Sequence, residues 1–163
     1  MPLNMRAAAR AVLLDEDDHV LLVRFEFPTA TVWALPGGGL DPGEDDETCL
    51  RRELREELGL HAVDIGPRIW TREHVIPMRT GHDGQRDHVH LVRVAHFEPV
   101  PEIGWEALRD ELVHEMRWWS VDEIAAAGGS PSSPVRFAPS RLAMLLRELV
   151  VHGPPTSPID TGI

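Results

Sequence analysis

The stretch Gly38–Leu60 reads GGLDPGEDDETCLRRELREELGL, and its spacing is that of a helix with two different faces. At about 100° per residue, positions three and four apart share a face. Leu50, Leu54 and Leu58 then form a stripe suited to packing on a sheet, while Glu53, Glu56 and Glu57 converge elsewhere. A helix over Asp45–Leu58 follows, closed by Gly59 in the usual position after a helix end. The acidic face should be unfavourable. Carboxylates four apart repel by a few tenths of a kcal/mol, and a helix C-terminus favours cations over anions. A hard divalent cation such as Mg²⁺ or Mn²⁺, which takes clustered oxygen ligands, would offset both effects. A merely solvated acidic face is the plain alternative, and the cluster alone does not decide between them.

Outward from this segment, the chain alternates strand-like and helix-like runs. Arg6–Leu14 and His19–Phe25 are apolar and separated by the acidic turn Asp15–Asp18, which predicts a hairpin. Thr31–Leu35 reads as a short strand entering the breaker Pro36-Gly37-Gly38-Gly39. Residues 61–75 and 85–97 carry β-branched and aromatic side chains and read as strands joined by the loop 79–84. A strand at 112–120, a short helix at 121–127, a Gly/Pro/Ser-rich loop at 128–139 and an amphipathic helix at 140–151 follow. The last segment, 152–163, holds three prolines and two glycines and reads as a loose tail. The order indicates a mixed α/β class in a single domain spanning residues 1–151.

Composition narrows the function. With 163 residues, 42% hydrophobic and 26% charged, the chain suits one globular domain with a real core. No run approaches the roughly 20 apolar residues of a membrane span, and Met1–Arg6 lacks a signal-peptide layout, so the cytoplasm is the expected location. A net charge of −11 argues against binding a nucleic acid polymer, though not against a small anion screened by a metal. All 16 basic residues are Arg, which excludes a lysine nucleophile. The single Cys49 excludes an internal disulfide and reads as a small core residue on the helix.

The segment matches a known pattern. Nudix hydrolases carry a box of Gly, five residues, Glu, seven residues, then Arg-Glu-aliphatic-x-Glu-Glu-x-Gly-aliphatic; Gly38, Glu44, Arg52, Glu53, Leu54, Glu56, Glu57, Gly59 and Leu60 satisfy every position. The chance of such a match at ordinary residue usage is below roughly one in a million. Trp33-Ala34-Leu35-Pro36-Gly37-Gly38-Gly39 upstream and Glu115–Ile124 downstream also resemble the family. The resemblance implies an α/β/α sandwich with a mixed sheet and Mg²⁺ or Mn²⁺ as cofactor. It implies Glu53, Glu56 and Glu57 as metal ligands, with Glu44 and a backbone carbonyl of Gly37 or Gly38 contributing and Arg52 orienting a carboxylate. The reaction implied is hydrolysis of a diphosphate linkage in a nucleoside diphosphate joined to another moiety, with the general base open among Glu56, Glu57 and Glu115. A small nucleotide is thus the expected partner, and a homodimer is admitted by analogy. Two other readings stand beside it: a non-catalytic nucleotide-sensing module, and an isoprenoid diphosphate isomerase, which the placement of Cys49 inside the helix disfavours.

Other residues carry weaker signals. Gly38, Gly39 and Arg24 are candidates for substrate contact, and Arg72 and Arg93 for phosphate or ribose, with solvated surface the bland reading for each arginine. His88, His90 and His96 alternate on one predicted strand, as a zinc site or substrate wall would, but so do exposed histidines, and no His-x-x-x-His or Cys-x-x-Cys spacing supports zinc. Trp33, Trp118 and Trp119 suit base stacking or core packing equally. Asn4 is the only Asn, so a late Asn of the kind that reads an oxidised purine in some relatives is missing, although Gln85 or an Asp could take its place.

Overall fold

The structure, a computed structural model, describes residues 1–128 and 132–163. In chain order its elements are β1 (Met5–Leu14), β2 (Val20–Glu26), β3 (Thr31–Ala34), β4 (Gly37–Gly39), α1 (Asp46–Leu58), β5 (Arg68–His74) and β6 (Gly84–Arg93). There follow α2 (Trp105–Asp110), β7 (Val113–Trp119), α3 (Val121–Gly128), β8 (Val135–Ala138), α4 (Leu142–His152) and β9 (Ile159–Asp160). The strands form one mixed sheet in the order β8-β3-β2-β1-β6-β5-β9, with β4 added to β1 and β7 to β2.

Period-two alternation along β1 divides the core into two layers. Ala9, Ala11 and Leu13 point to one face, where Cys49, Leu50, Leu54 and Leu58 of α1 cover them. Val12 and Leu14 point to the other, against Ile124 of α3 and Leu142, Leu145, Leu146 and Leu149 of α4. The result is the expected α/β/α sandwich. Each of the three α1 leucines is essentially buried, a contribution of about 1.5–3 kcal/mol apiece. Trp33, Trp119 and Phe137 interlock edge to face at centroid distances of 5.1 and 5.3 Å, so Trp33 and Trp119 are core residues. Trp118 lies half-buried and donates Nε1–H to the Phe97 carbonyl at 2.9 Å.

Helix α1 begins and ends as its sequence dictates. The Asp45 side chain accepts the Thr48 N–H at 2.8 Å, and Gly59 adopts φ 68°. The Gly59 and Leu60 N–H groups then satisfy the Arg55 and Leu54 carbonyls.

Pairing differs from expectation in several places. The anticipated hairpin is present but short: Leu14 pairs antiparallel with Val20, and the Asp15 N–H bonds the His19 carbonyl at 3.0 Å. Strand β1 instead runs parallel to β6 from Met5↔Gly84 to Leu14↔Arg93, and β4 takes up its other edge. The Gly-rich breaker is therefore itself a strand. Within 61–75 only Arg68–His74 is extended, and the loop at 128–139 contains β8, parallel to β3, with its residues 129–131 outside the described set. Helix α2 falls in a stretch with no anticipated element.

The tail at 152–163 is not loose along its length. Ile159 and Asp160 pair with Trp70 and Thr71. Thr161 is 1% exposed, with its N–H on the Thr71 carbonyl at 2.9 Å. Prolines discourage helix, but they do not prevent the residues between them from completing an unpaired sheet edge. Among the described residues no helix is long and apolar enough to cross a membrane.

His96, past the end of β6, ties that segment to the β1–β2 turn through Asp15, Nδ1 to Oδ2 at 2.9 Å. The Asp15 hydrogen bond raises the His96 pKa. For Asp15, burial works upward but is outweighed by hydrogen bonds from His96 and from the His19 and Asp17 N–H groups, so its pKa falls. Asp15 contributes stability above its ordinary value of 3.8 and loses it as pH falls. His96 contributes fully below 6.5 and loses it as pH rises through its raised value. The melting temperature of His96→Gln should therefore lie below wild type by about one to two degrees at pH 5.5, with a narrower gap at pH 8.5. Thermal denaturation at the two pH values checks this, and a gap independent of pH would rule out an ionic contribution.

Candidate active site

The acidic face of α1 is organised by one arginine. Arg52 donates twice to Glu44, Nε–Oε2 and Nη2–Oε1 both 2.8 Å, and once to Glu53 at 2.9 Å. Longer contacts reach Glu56 at 3.4 Å and the Gly39 carbonyl at 3.2 Å. The fork matches the carboxylate geometry of Glu44, whose pKa the Arg52 hydrogen bonds lower to about 2. Glu44 also accepts the Asp41 N–H at 2.7 Å, fixing the loop before α1. Arg52 thus offsets part of the repulsion that the helix pattern creates.

Glu57 sits on the inner side of this cluster and is 4% exposed. Burial raises its pKa well above the usual carboxylate range, and the neighbouring Glu53 carboxyl adds to this. A buried carboxyl beside a carboxylate is a costly arrangement unless a proton or a cation intervenes. Glu53 and Glu57 line a cavity of about 290 Å³ with Gly37–Gly39, Arg6, Arg10 and Glu111. Glu111 keeps an exposed surface, yet burial of its carboxyl and the charges of Glu53 and Glu56 raise its pKa. It is presented by the end of α2 and by Leu112, a non-glycine residue at φ 70°, a conformation that costs about 1–3 kcal/mol and clusters at functional sites.

The glycines are needed because the backbone passes close to its neighbours. A Cβ on Gly38 would stand 2.5 Å from Glu53 Oε1, and one on Gly37, at φ 139°, would collide with the Ala9 carbonyl. Strand β4 is therefore wedged between β1 and the acidic face of α1. Among the described residues no three His, Cys, Asp or Glu side chains are already gathered as a metal site. Arg52 draws Glu53 and Glu56 to its own side, while Glu57 is turned inward.

The structure brings together Glu44, Arg52, Glu53, Glu56, Glu57 and the Gly37–Gly39 backbone. It does not bring Arg24 to the cavity; its guanidinium pairs with Glu26 and Glu115, and Glu115 is not on the cavity wall either. His88 and His90 approach Asp46 at 3.0 and 3.4 Å beside Arg68, at the N-terminal end of α1, and His96 lies beyond the strand. Arg93 meets Asp18 at the surface. Cys49 is buried, with its thiol on the Gly38 carbonyl at 3.4 Å and its pKa pushed up to about 11, first by burial, so it is no nucleophile.

Sequence reasoning missed Arg6, Arg10 and Glu111. The arginines could have been found, since two charges four apart in an apolar strand share a face. Glu111 had no signal beyond its place in an acidic stretch.

A cavity lined by both carboxyl oxygens and guanidinium groups has the chemistry of a site for handling phosphate. The family model for the NUDIX domain matches residues 4–138, and the chain belongs to the Nudix family. It is accordingly a Nudix pyrophosphohydrolase, an enzyme of the phosphoric anhydride hydrolase class. It is 34% identical over 120 residues to the nucleoside triphosphatase NudI of Salmonella agona, covering 69% of this chain and 81% of that one. With NudI of Salmonella paratyphi B it shares 37% over 95 residues, 57% of this chain and 64% of the relative, just under two thirds of its length. A NUDIX hydrolase structure from Nitrosomonas europaea superposes with a TM-score of 0.67 at 17% identity, over 100% of this chain and 82% of that one.

The two glycines separate packing from function. Gly37→Ala forces a side chain into a backbone carbonyl at positive φ and should destabilise by about 1–3 kcal/mol. Gly38→Ala meets only the movable end of Glu53, so it should melt within a few degrees of wild type while losing at least tenfold in turnover. Paired melting curves and rate measurements check this; equal losses of stability would show that the close approach of Gly38 is purely structural.

Proposed function

We propose that the protein hydrolyses the diphosphate linkage of a nucleoside diphosphate joined to another moiety, a nucleoside triphosphate being the substrate nearest to its relatives' names, with Mg²⁺ or Mn²⁺ as cofactor. The observation carrying this reading is the buried Glu57 carboxyl paired with Glu53 in a cavity that a Cβ at Gly38 would obstruct. The donor set fits a hard divalent ion, since every nearby ligand is oxygen: Glu53, Glu56 and Glu57, with Glu44 held on Arg52 behind them and a Gly37 or Gly38 carbonyl alongside. When bound, such an ion lowers the pKa of water and neutralises diphosphate charge.

The remaining work falls to the chain itself. Arg6 and Arg10 line the same cavity as the carboxylates and would bind phosphate oxygens. Arg52 holds Glu44 and Glu53 in fixed orientations, so little reorganisation is needed when charge develops. The proton lost by the attacking water passes to a carboxylate on the cavity wall. Glu57 and Glu111 line that wall, Glu56 borders it, and Glu115 is engaged with Arg24. Arg24 is accordingly a structural ion-pair partner in this reading.

The test is release of phosphate or pyrophosphate from a panel of nucleotides and other diphosphates with Mg²⁺, Mn²⁺ or EDTA. Turnover should require the metal, and Glu57→Gln should lower it by at least about a hundredfold while the protein stays folded in circular dichroism. Tight nucleotide binding with no turnover of any compound would favour a sensing module.

A further inference from the structure

Arg6 and Arg10 reach the carboxylate cavity from β1, and two residues of β6 stand behind them. In the parallel register of the two strands Gln85 lies level with Arg6, and Asp87 lies level with Ala8, between the arginines. A period of two puts all of these on one face. Gln85 Oε1 accepts Arg6 Nη1 at 3.0 Å. Asp87 Oδ1 accepts Arg10 Nε at 3.3 Å and Gln85 Nε2 at 2.8 Å, which turns the amide oxygen towards Arg6. The Leu35 carbonyl takes a second Arg10 donor, Nη1, at 2.9 Å.

Asp87 is a costly residue to place here. It is 3% exposed, and its Oδ2 meets Arg72 only as an ion pair at 3.6 Å. Apolar side chains in place of buried ion pairs are often neutral or stabilising, so the pairing is weak grounds for stability. Both arginines keep donors in hand. Nη2 of Arg10 and Nη2 of Arg6 have no hydrogen-bond partner among the described residues. The Arg6 guanidinium fills the space that a side chain on Gly39 would need, against the cavity wall. Both charges reach the carboxyls. Arg10 opposes the rise that burial produces in the Glu57 pKa, and Arg6 does the same for Glu111.

Resting on the diphosphate-hydrolase reading of this cavity, we infer that Asp87 and Gln85 are positioning residues, which hold the Arg10 and Arg6 guanidiniums so that their remaining N–H groups meet substrate phosphate oxygens. Neither touches the substrate; each acts through its arginine. A guanidinium held beforehand loses less side-chain freedom when a phosphate arrives, so the hold is read as affinity.

A double-mutant cycle on the full chain tests this. It is read by steady-state kinetics on the best nucleotide of the panel, and by calorimetric binding of methylenediphosphonate, an uncleavable diphosphate, in Mg²⁺ buffer. Arg10→Gln should raise KM and the methylenediphosphonate Kd about tenfold to a hundredfold, the worth of one hydrogen bond to a charged group. Asp87→Asn should raise both about threefold to tenfold, the cost of immobilising one long side chain, with kcat lowered less than about threefold. In the double variant the rise should stay close to that of Arg10→Gln alone. Rises that multiply would show Asp87 acting independently of Arg10 and overturn the inference, as would an unchanged KM or a loss confined to kcat in Asp87→Asn. If Asp87→Asn does not fold, Gln85→Ala with Arg6→Gln forms the same cycle on a half-buried side chain, and the same two outcomes decide. A wild type that hydrolyses nothing yet binds methylenediphosphonate with the non-multiplying pattern keeps the positioning and drops the hydrolase reading. Arginine variants with wild-type KM in an active enzyme overturn the positioning and leave that reading standing.

Discussion

A side chain on Gly37 would strike the Ala9 carbonyl and one on Gly38 would strike the Glu53 carboxylate, so β4 can lie between β1 and α1 only as bare backbone. That close approach fixes where the acidic face of α1 stands relative to the sheet. It also closes one edge of β1, which leaves β2 to pair with β3 and β7 instead. The cavity wall, the sheet order and the loop before α1 all follow from the one constraint. Alanine spacing in β1 complements it: Ala9 and Ala11 are small enough for Cys49 and Leu50 to pack closely above them.

Electrostatics then determines what the wedge can hold. Three glutamates within one and a half turns of helix would repel in any setting, and the structure distributes the cost unevenly. Glu44 and Glu53 both accept hydrogen bonds from Arg52, whereas Glu57 is buried and, among the described residues, has no arginine within hydrogen-bonding distance. The asymmetry separates roles. The orienting carboxylate Glu44 is held by arginine, while burial pushes the innermost carboxyl, Glu57, towards its neutral form, a cost that a bound cation would offset. Such an arrangement is poor for stability, and that is why it reads as functional.

How much of this was legible in the sequence depends on the range of the interaction. Helix α1, its Asp45 cap, its Gly59 terminus and the glutamate face are local patterns, and all lie where the 3.6-residue period puts them. The orienting role of Arg52 was implied by the resemblance to the Nudix box, and its hydrogen bonds to Glu44 and Glu53 span no more than eight residues of chain. Strand pairing was not. The parallel match of β1 with β6 joins residues about eighty apart, and no local spacing encodes it. For the same reason Asp87 and Arg72 could not be seen to meet Arg10, nor Glu111 to meet Glu53. The edge strand at Ile159 was hidden by its prolines, which signal a loop locally but say nothing about a free edge elsewhere.

The long-range contacts that the sequence concealed are also those that join the two cavities. Arg6 and Arg10 share one face of β1, and Gln85 and Asp87 share the same face of β6, in register beside them. Their side chains form a continuous polar ladder, from the arginines at the carboxylate cavity to Arg72 in the apolar one. Arg6, Gln85, Asp87 and Arg10 are joined by hydrogen bonds, and Asp87 meets Arg72 as an ion pair at 3.6 Å, so a shift of Arg10 away from Asp87 would alter the charge that Arg72 faces. A two-residue strand period repeated on neighbouring strands is therefore enough to couple the lining of the apolar cavity to that of the carboxylate cavity.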